Sequence, residues 1–440
     1  MILSPALCHL LQQEADWRQQ TINLNASENY SSPLVKQLVG LHPSYDCYPF
    51  PPAGGNIEGV WQFSGPPYLQ GIEHLLNHLG QQLLACPILD ARPKGGQAAE
   101  ITLLVGLANA GDSLFYVQEH DGGHFGLKVI SQKMGIRLIP LCFDPVSQQI
   151  DVPKTIKRLQ NTWNHATARK IILIGQSFIL RPLALSELIT AAKNSFPDVI
   201  IGCDISHTLG LIIGQQLPNP ILQGVDVIHG STHKTLPGPQ KGIIGFPATF
   251  NPAQREIIQQ TLSPGLQSQC GTSEILALAV TLEEMRVYGK MYAQAVCYHA
   301  RYLAEKLDRC GFNVVGKNFG FTETHQIWII MGSEQQAWQA FSQLHRAGIR
   351  AYPAALPFVQ QWGLRLGTAA VTRLGFSTTE IDQVVLWIQQ VLLDNIPPEQ
   401  IAKPVKQLMQ GFPLQQLRYT LPDRLLSQQL CAPTALECSE

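Results

Sequence analysis

The chain has 440 residues, 45% of them hydrophobic and 14% charged, and its 31 basic and 32 acidic side chains leave a formal charge of -1. That length suits one large core and a second, smaller one. The balanced charge, with no basic tail or basic helix, argues against a nucleic-acid partner, and the lack of any uncharged apolar run of 18 residues argues against a membrane span.

In chain order, Leu7, Leu10, Leu11 and Ala15 share one face and predict an N-terminal helical arm over 1–20. An N-terminus with Glu14, Asp16 and Arg18 and no basic-then-apolar run does not read as a secretory signal. Residues 21–65 are irregular and rich in Gly, Pro and Asn. Their aromatics, among them Tyr45, Tyr48, Phe50, Trp61 and Phe63, predict an ordered functional loop rather than disorder. A helix is expected over 68–85, and Gly95-Gly96 opens another over 97–109. Short apolar, often β-branched runs follow at 114–118, 136–142, 170–175, 198–204, 225–229 and 242–246, with helical stretches such as 152–160 and 184–195 between them. Buried strands alternating with helices predict an α/β fold around a mostly parallel sheet, placed at 21–282. A long helix over 273–308 leads into a smaller α+β domain at 283–440. It comprises strands at 325–331 and 364–367 and helices at 333–346 and 378–393, the last with a Ser377/Glu380 capping box. Beyond 396 the prolines allow only a short helix or two. Ten cysteines occur with no tight CxxC pair, and Cys86, Cys142, Cys203 and Cys297 read as small buried hydrophobes. A reducing, cytoplasmic setting follows.

The chemistry gathers around Ser231-Thr232-His233-Lys234-Thr235-Leu236, which follows an apolar strand. Alone, Lys234 reads as a loop lysine. Asp204 ends the strand Val199–Cys203, at the edge where parallel sheets place their sites; alone it reads as a helix N-cap. Lys94-Gly95-Gly96 opens a helix whose N–H groups and dipole make a phosphate seat. Neither GxGxxG nor GxxxxGK[ST] is present. His124 lies in a glycine loop after a strand, where an imidazole can stack on a flat ring. A metal at His120 and His124 is disfavoured, since they do not share a helix face. Ser177 follows the strand Ile171–Gly175 and reads equally as a turn residue.

In this order the pieces resemble the serine hydroxymethyltransferase family, of the aspartate-aminotransferase-like fold type I of pyridoxal-phosphate enzymes. The most specific stretches are Asn25-Ala26-Ser27-Glu28-Asn29-Tyr30, Asp204-Ile205-Ser206-His207-Thr208-Leu209-Gly210-Leu211, Thr232-His233-Lys234-Thr235-Leu236 and Gly363-Leu364-Arg365-Leu366-Gly367-Thr368. The resemblance implies pyridoxal 5'-phosphate as cofactor, held by Lys234 as a Schiff base. Asp204 is implied on the pyridine nitrogen, His124 on the ring face, and His207 beside the ring oxygen and substrate. Ser177 falls on the ring oxygen, and Lys94, Gly95, Gly96 and His233 around the phosphate. Ser27 and Arg365 are implied to hold the substrate carboxylate, a task the planar guanidinium suits.

The chain departs from the family at Lys94 and Gly96, where the family has serines. Phe63-Ser64-Gly65 stands for Tyr-Gly-Gly, Gln240 for an arginine, and Gln267-Ser268-Gln269 for a Gly-Gly pair lent to the neighbouring subunit. Glu58 is the candidate catalytic carboxylate, with Asp46 its rival. These changes keep the cofactor core and leave folate use doubtful. The expected activity is Cα–Cβ cleavage, or aldol or hydroxymethyl transfer, of a β-hydroxy amino acid through a glycine quinonoid, with an aldehyde as co-substrate and either Glu58 or His207 near the base position. The alternatives are an aminotransferase or other Cα chemistry, and a non-catalytic homologous subunit. The resemblance also implies a homodimer, with the N-terminal arm and loop 21–65 at its interface.

Overall fold

The computed structural model describes residues 4–41, 69–163, 169–268 and 270–422. In chain order the elements are α1 (Pro5–Gln20), β1 (Ile22–Asn23), α2 (Pro33–Leu41), α3 (Leu69–Leu84), β2 (Ile88–Asp90), α4 (Gly96–Leu107), β3 (Ser113–Tyr116) and α5 (Gly126–Lys133). Then come β4 (Arg137–Pro140), β5 (Phe143–Asp144), β6 (Gln149–Ile150), α6 (Val152–Trp163), β7 (Ile171–Gly175), α7 (Leu185–Ser195), β8 (Ile200–Asp204), α8 (Leu209–Ile213), β9 (Val227–Ser231) and β10 (Gly242–Phe246). The remainder is α9 (Pro252–Gln260), α10 (Thr272–Arg309), β11 (Gln326–Gly332), α11 (Glu334–Arg346), β12 (Ile349–Arg350), β13 (Tyr352–Leu356), β14 (Gln361–Gly367), α12 (Ala369–Leu374), α13 (Thr378–Leu392) and α14 (Pro398–Gln410).

Seven strands form the large sheet in the order β2-β10-β9-β8-β7-β3-β4. Its central pairs are parallel, and β10 alone runs against both of its neighbours. The continuous apolar runs have a simple cause: each strand feeds two cores. In β7, Ile172 and Ile174 enter one core while Ile171 and Leu173 enter the other. A smaller domain packs the antiparallel sheet β11-β14-β13 against α11, α13 and α14. The 38-residue α10 joins the two, about 57 Å long at 1.5 Å per residue. Its first half (Ile275, Leu278, Leu282, Met285) lies in the large-domain core and its last turns (Ala300, Leu303, Leu307) in the small one. Among the described residues, no helix is long and apolar enough to cross a membrane.

Most expected elements form within two or three residues of their anticipated bounds, and Ser377 and Glu380 make the expected capping box. The sequence reading omitted β1, α2, β2, α5, β5, β6, α8, α9, β12, β13 and α12, and α2 is a nine-residue helix inside the stretch 21–65 expected to be irregular. β2 is three residues long and so has no room for a period, and α5 is a short helix of eight residues that opens at Gly126. Cys86, Cys203 and Cys297 are buried as expected, whereas Cys142 is only partly so. The periodic face of α1 is exposed, with Leu7, Leu10 and Leu11 at 43, 61 and 54% accessibility.

One buried ion pair fastens the segment 419–421 to the domain joint. Arg373 of α12 donates to Glu284 of α10 at 2.8 Å, both fully buried, and donates again to the Tyr419 carbonyl. The Leu421 N–H donates to the other Glu284 oxygen at 3.3 Å. Breaking a buried pair leaves an uncompensated charge. Arg373→Met is therefore expected to lower unfolding free energy by about 3–5 kcal/mol in urea titrations, and the double variant Arg373→Met/Glu284→Leu by less. An unchanged midpoint for the single variant would contradict this account.

Candidate active site

The C-terminal edges of β7, β8 and β9 carry the candidate residues because parallel strands end together. Asp204 is the last residue of β8, opposite Gly175 of β7 and His229 of β9 in register. Its carboxylate accepts the Ser206 N–H at 2.7 Å, so it turns the chain locally and does not cap α8, which starts at Leu209. Burial works to raise the Asp204 carboxyl, but His229, Lys234 and the Ser206 bonds outweigh it and hold it below the usual carboxylate range. Burial depresses the Lys234 ammonium from its usual value, partly offset by Asp204. Asp204 also lines a small cavity together with Glu100, His124 and His229. A second, more apolar cavity, lined by Ile179, Leu183, Ile212 and Leu217, reaches Asp204 as well.

The motifs hold one another in place. Thr235 donates to the His207 carbonyl at 2.9 Å and accepts the Gly210 N–H, and a Cβ on Gly210 would lie 2.3 Å from the Thr235 oxygen. Thr232 donates to the Pro239 and Lys241 carbonyls and so closes the turn that carries Lys234. Asn29 donates to the Lys234 carbonyl at 2.6 Å and to the Tyr292 hydroxyl, which itself donates to the Thr235 carbonyl. The segment 25–30 thus touches the lysine turn at one end. At the other, Ser27 accepts from Arg365 at 2.8 Å.

Arg365 is buried, with Phe178 4.4 Å from its guanidinium carbon on one ring contact and Tyr352 4.8 Å on another. It donates to the Ser177 carbonyl at 2.8 Å, its Nε has no hydrogen-bond partner among the described residues, and burial lowers it to about 10. The Ser177 carbonyl also accepts from Gln326 Nε2 at 3.0 Å. Ser177 therefore enters the site through its backbone.

Gln326 sets the state of His207. Its Oε1 accepts from the Ile179 N–H and the Trp328 indole, which fixes the amide orientation and makes Nε2 the donor. That nitrogen faces His207 Nδ1 at 3.2 Å, so Nδ1 accepts and the neutral ring carries its proton on Nε2. Burial, then Lys234 and Arg365, keep His207 far below the ordinary histidine range. In that tautomer the His207 ring is a hydrogen-bond donor through its other nitrogen, Nε2. His325, stacked on it at 5.8 Å, contacts the Ala26 carbonyl through Nε2 at 3.0 Å and is held neutral, at about 3, chiefly by burial.

At the far end of the site, α4 begins at Gly96 after a Gly95 cap without a side-chain bond, leaving its first N–H groups open. A Cβ on Gly96 would lie 2.8 Å from the Ser231 nitrogen, so no serine fits here on this backbone. Lys94 is exposed, and its ammonium lies 2.7 Å from where a Gly271 Cβ would stand, toward the start of α10. Lys241, fully buried and drawn down to about 8 by burial, donates to the Arg92 and Cys270 carbonyls beneath this loop. Gln267 also donates to the Arg92 carbonyl, at 2.9 Å. Glu58, Asp46, Phe63, Ser64, Gly65 and Gln269 lie outside the described residues.

A family model for serine hydroxymethyltransferase matches residues 3–388. The chain belongs to the serine hydroxymethyltransferase family. The serine hydroxymethyltransferase of Pyrococcus abyssi is 30% identical over 411 residues, covering 90% of this chain and 92% of that protein. The Methanocella arvoryzae enzyme is 30% identical over 399 residues, covering 89 and 90%. The crystal structure of an L-threonine transaldolase from Pseudomonas fluorescens in its internal aldimine state superposes with a TM-score of 0.89 at 33% identity, covering 96% of this chain and 95% of that one.

As a member of this family the protein is a pyridoxal-phosphate enzyme of fold type I acting on an amino acid. The residues present fit the cofactor. Lys234 would carry it, and Asp204, held ionised, would face its ring nitrogen. The open N–H groups of α4, the hydroxyl of Ser231 and Nδ1 of His233 would take its phosphate; the last two are buried with no hydrogen-bond partner among the described residues. Sequence reasoning missed Glu100, which reads as an ordinary residue of α4. It also missed His325 and Gln326, brought in by β11 from the small domain. The pair His325-Gln326 at the start of an apolar strand was the available signal.

Gln326→Glu is expected to place an acceptor opposite His207 Nδ1 and bring that ring's titration, followed by histidine NMR, up into the ordinary histidine range. A ring that stays neutral throughout would show that Gln326 does not set its state.

Proposed function

We propose that the protein breaks or forms the Cα–Cβ bond of a β-hydroxy amino acid, passing a glycine unit to or from an aldehyde without folate. The observation carrying this reading is the Ser177 carbonyl, which receives both Arg365 and Gln326 and thereby sets a carboxylate clamp beside the His207 donor. Similarity to an L-threonine transaldolase at 33% identity supports it, and L-threonine is the first substrate to try.

When bound, the cofactor supplies an electron sink for the pair of electrons left at Cα. Arg365 and Ser27 bind the substrate carboxylate; the unpartnered Arg365 Nε–H and its second amine edge give a bidentate fork. That clamp fixes rotation about Cα, and so decides which bond lies perpendicular to the ring. His207 Nε2–H steadies the oxygen beside it, and Lys234, depressed in basicity by burial, is suited to move a proton at Cα. With His207 committed as donor, the proton of a β-hydroxyl falls to another group, for which Glu58 is our candidate. His233 and the start of α4 keep the phosphate end. The domains divide near residue 282 within α10. The protein is a cytoplasmic homodimer in this reading, and the exposed Leu7, Leu10 and Leu11 of α1 supply an apolar face for the second copy.

Purified protein with pyridoxal phosphate is to be given glycine, L-serine or L-threonine, with and without an added aldehyde or tetrahydrofolate, and products identified by mass spectrometry. Release of acetaldehyde from L-threonine and formation of a new β-hydroxy amino acid from the added aldehyde, without folate, is the expected result. Strictly folate-dependent transfer, or formation of a keto acid, would refute the reading. Arg365→Lys is expected to raise KM for the amino acid about tenfold or more, since one ammonium cannot replace a two-toothed fork; unchanged saturation would remove Arg365 from the clamp.

A further inference from the structure

Glu100 is a carboxylate where the fold has no structural need of one. It lies in the second turn of α4, 6% exposed, on the face that also carries the buried Leu103 and Leu104 three and four residues on. An ionised carboxylate in such a place demands a partner. The ion-pair partner it meets is Nδ1 of His124, 3.7 Å away, across a cavity that Asp204 and His229 also line. The groups facing His124 come from several elements: Glu100 from α4, Asp204 from β8, Lys234 from the turn after β9, and His207 from the turn after β8. Gln97 approaches the same place, since its amide nitrogen and the His124 ring both crowd the Cβ position of Gly126.

We propose that Glu100 is a positioning residue that holds His124 as an imidazolium against the face of the bound cofactor ring. This rests on the reading above that puts His124 at that face. A cation there is attracted more strongly as negative charge spreads from Cα into the ring, so it favours the transition state over the ground state. Asp204 acts on the same charge from the ring edge, by keeping the nitrogen protonated; the two carboxylates thus serve one electron sink through different intermediaries. Electrostatics agree in sign. The Glu100 contact raises His124 above its ordinary value, against burial and Lys234, with Asp204 adding to the rise.

The test uses Glu100→Gln and Glu100→Leu, the second because leucine matches the apolar face and leaves no unpaired amide, together with Glu100→Asp as a conservative rescue. His124 is followed by NMR of protein labelled at histidine Cε1, its signal assigned with His124→Asn, in the cofactor-free and loaded dimer. Since Glu100 favours the charged ring, its removal should lower the His124 midpoint by about one pH unit or more, a tenfold change in proton affinity. The alkaline limb of kcat should move down with it, while KM for the amino acid changes little, and Glu100→Asp should restore part of the shift. A His124 midpoint that stays put in both Glu100→Gln and Glu100→Leu overturns the inference, wherever His124 sits. If His124→Asn leaves the visible absorbance of the loaded protein unchanged, the underlying placement at the ring fails instead, and the inference falls with it.

Discussion

An ammonium and a carboxylate, both taken largely out of water, act on each other at the edge of a parallel sheet. Each would rather be neutral there, and the surroundings decide otherwise for the carboxylate. Asp204 stays ionised because His229, Lys234 and the Ser206 N–H repay its lost hydration. The strand register that sets Asp204 beside Gly175 and His229 is therefore an electrostatic requirement as much as a packing one. The closeness has a steric counterpart: a Cβ on Gly175 would lie 2.8 Å from that of Asp204.

Around that pair the molecule spends its hydrogen bonds on backbone carbonyls. Those of Lys234, Thr235, His207, Ser177 and Ala26 all accept from side chains of distant segments. Fastening the main chain leaves reactive side chains available for ligands: among the described residues Ser231 Oγ, His233 Nδ1 and Arg365 Nε are buried without a hydrogen-bond partner. The same economy makes the small domain part of the site. β11 brings Gln326, with His325 just before it, and β14 brings Arg365, so a movement of that domain would alter the clamp and the His207 donor together.

What could be read from the amino-acid order was whatever depends on local pattern. The doubly buried strands announce themselves as apolar runs, and Lys234, Asp204 and His207 sit in short motifs whose internal bonds are local. What could not be read depends on distance in the chain. Nothing near Glu100 tells that its carboxylate meets residue 124, and nothing near Gln326 tells that its amide orientation is fixed by Ile179 and so fixes His207. The strap at 418–421 is held by a pair more than 45 residues upstream. The three leucines of α1 share one face, as their spacing predicts, and the fold leaves that face exposed. Periodicity reports that a face is apolar, not what covers it.

The tight fit at residue 96 ties the start of α4 to the end of β9. Adding even one carbon there strikes the main chain at Ser231, so trimming that residue's side chain would not make room. Any side chain at this position would first require the end of β9 to move, so the glycine and the placement of that strand are fixed by one another.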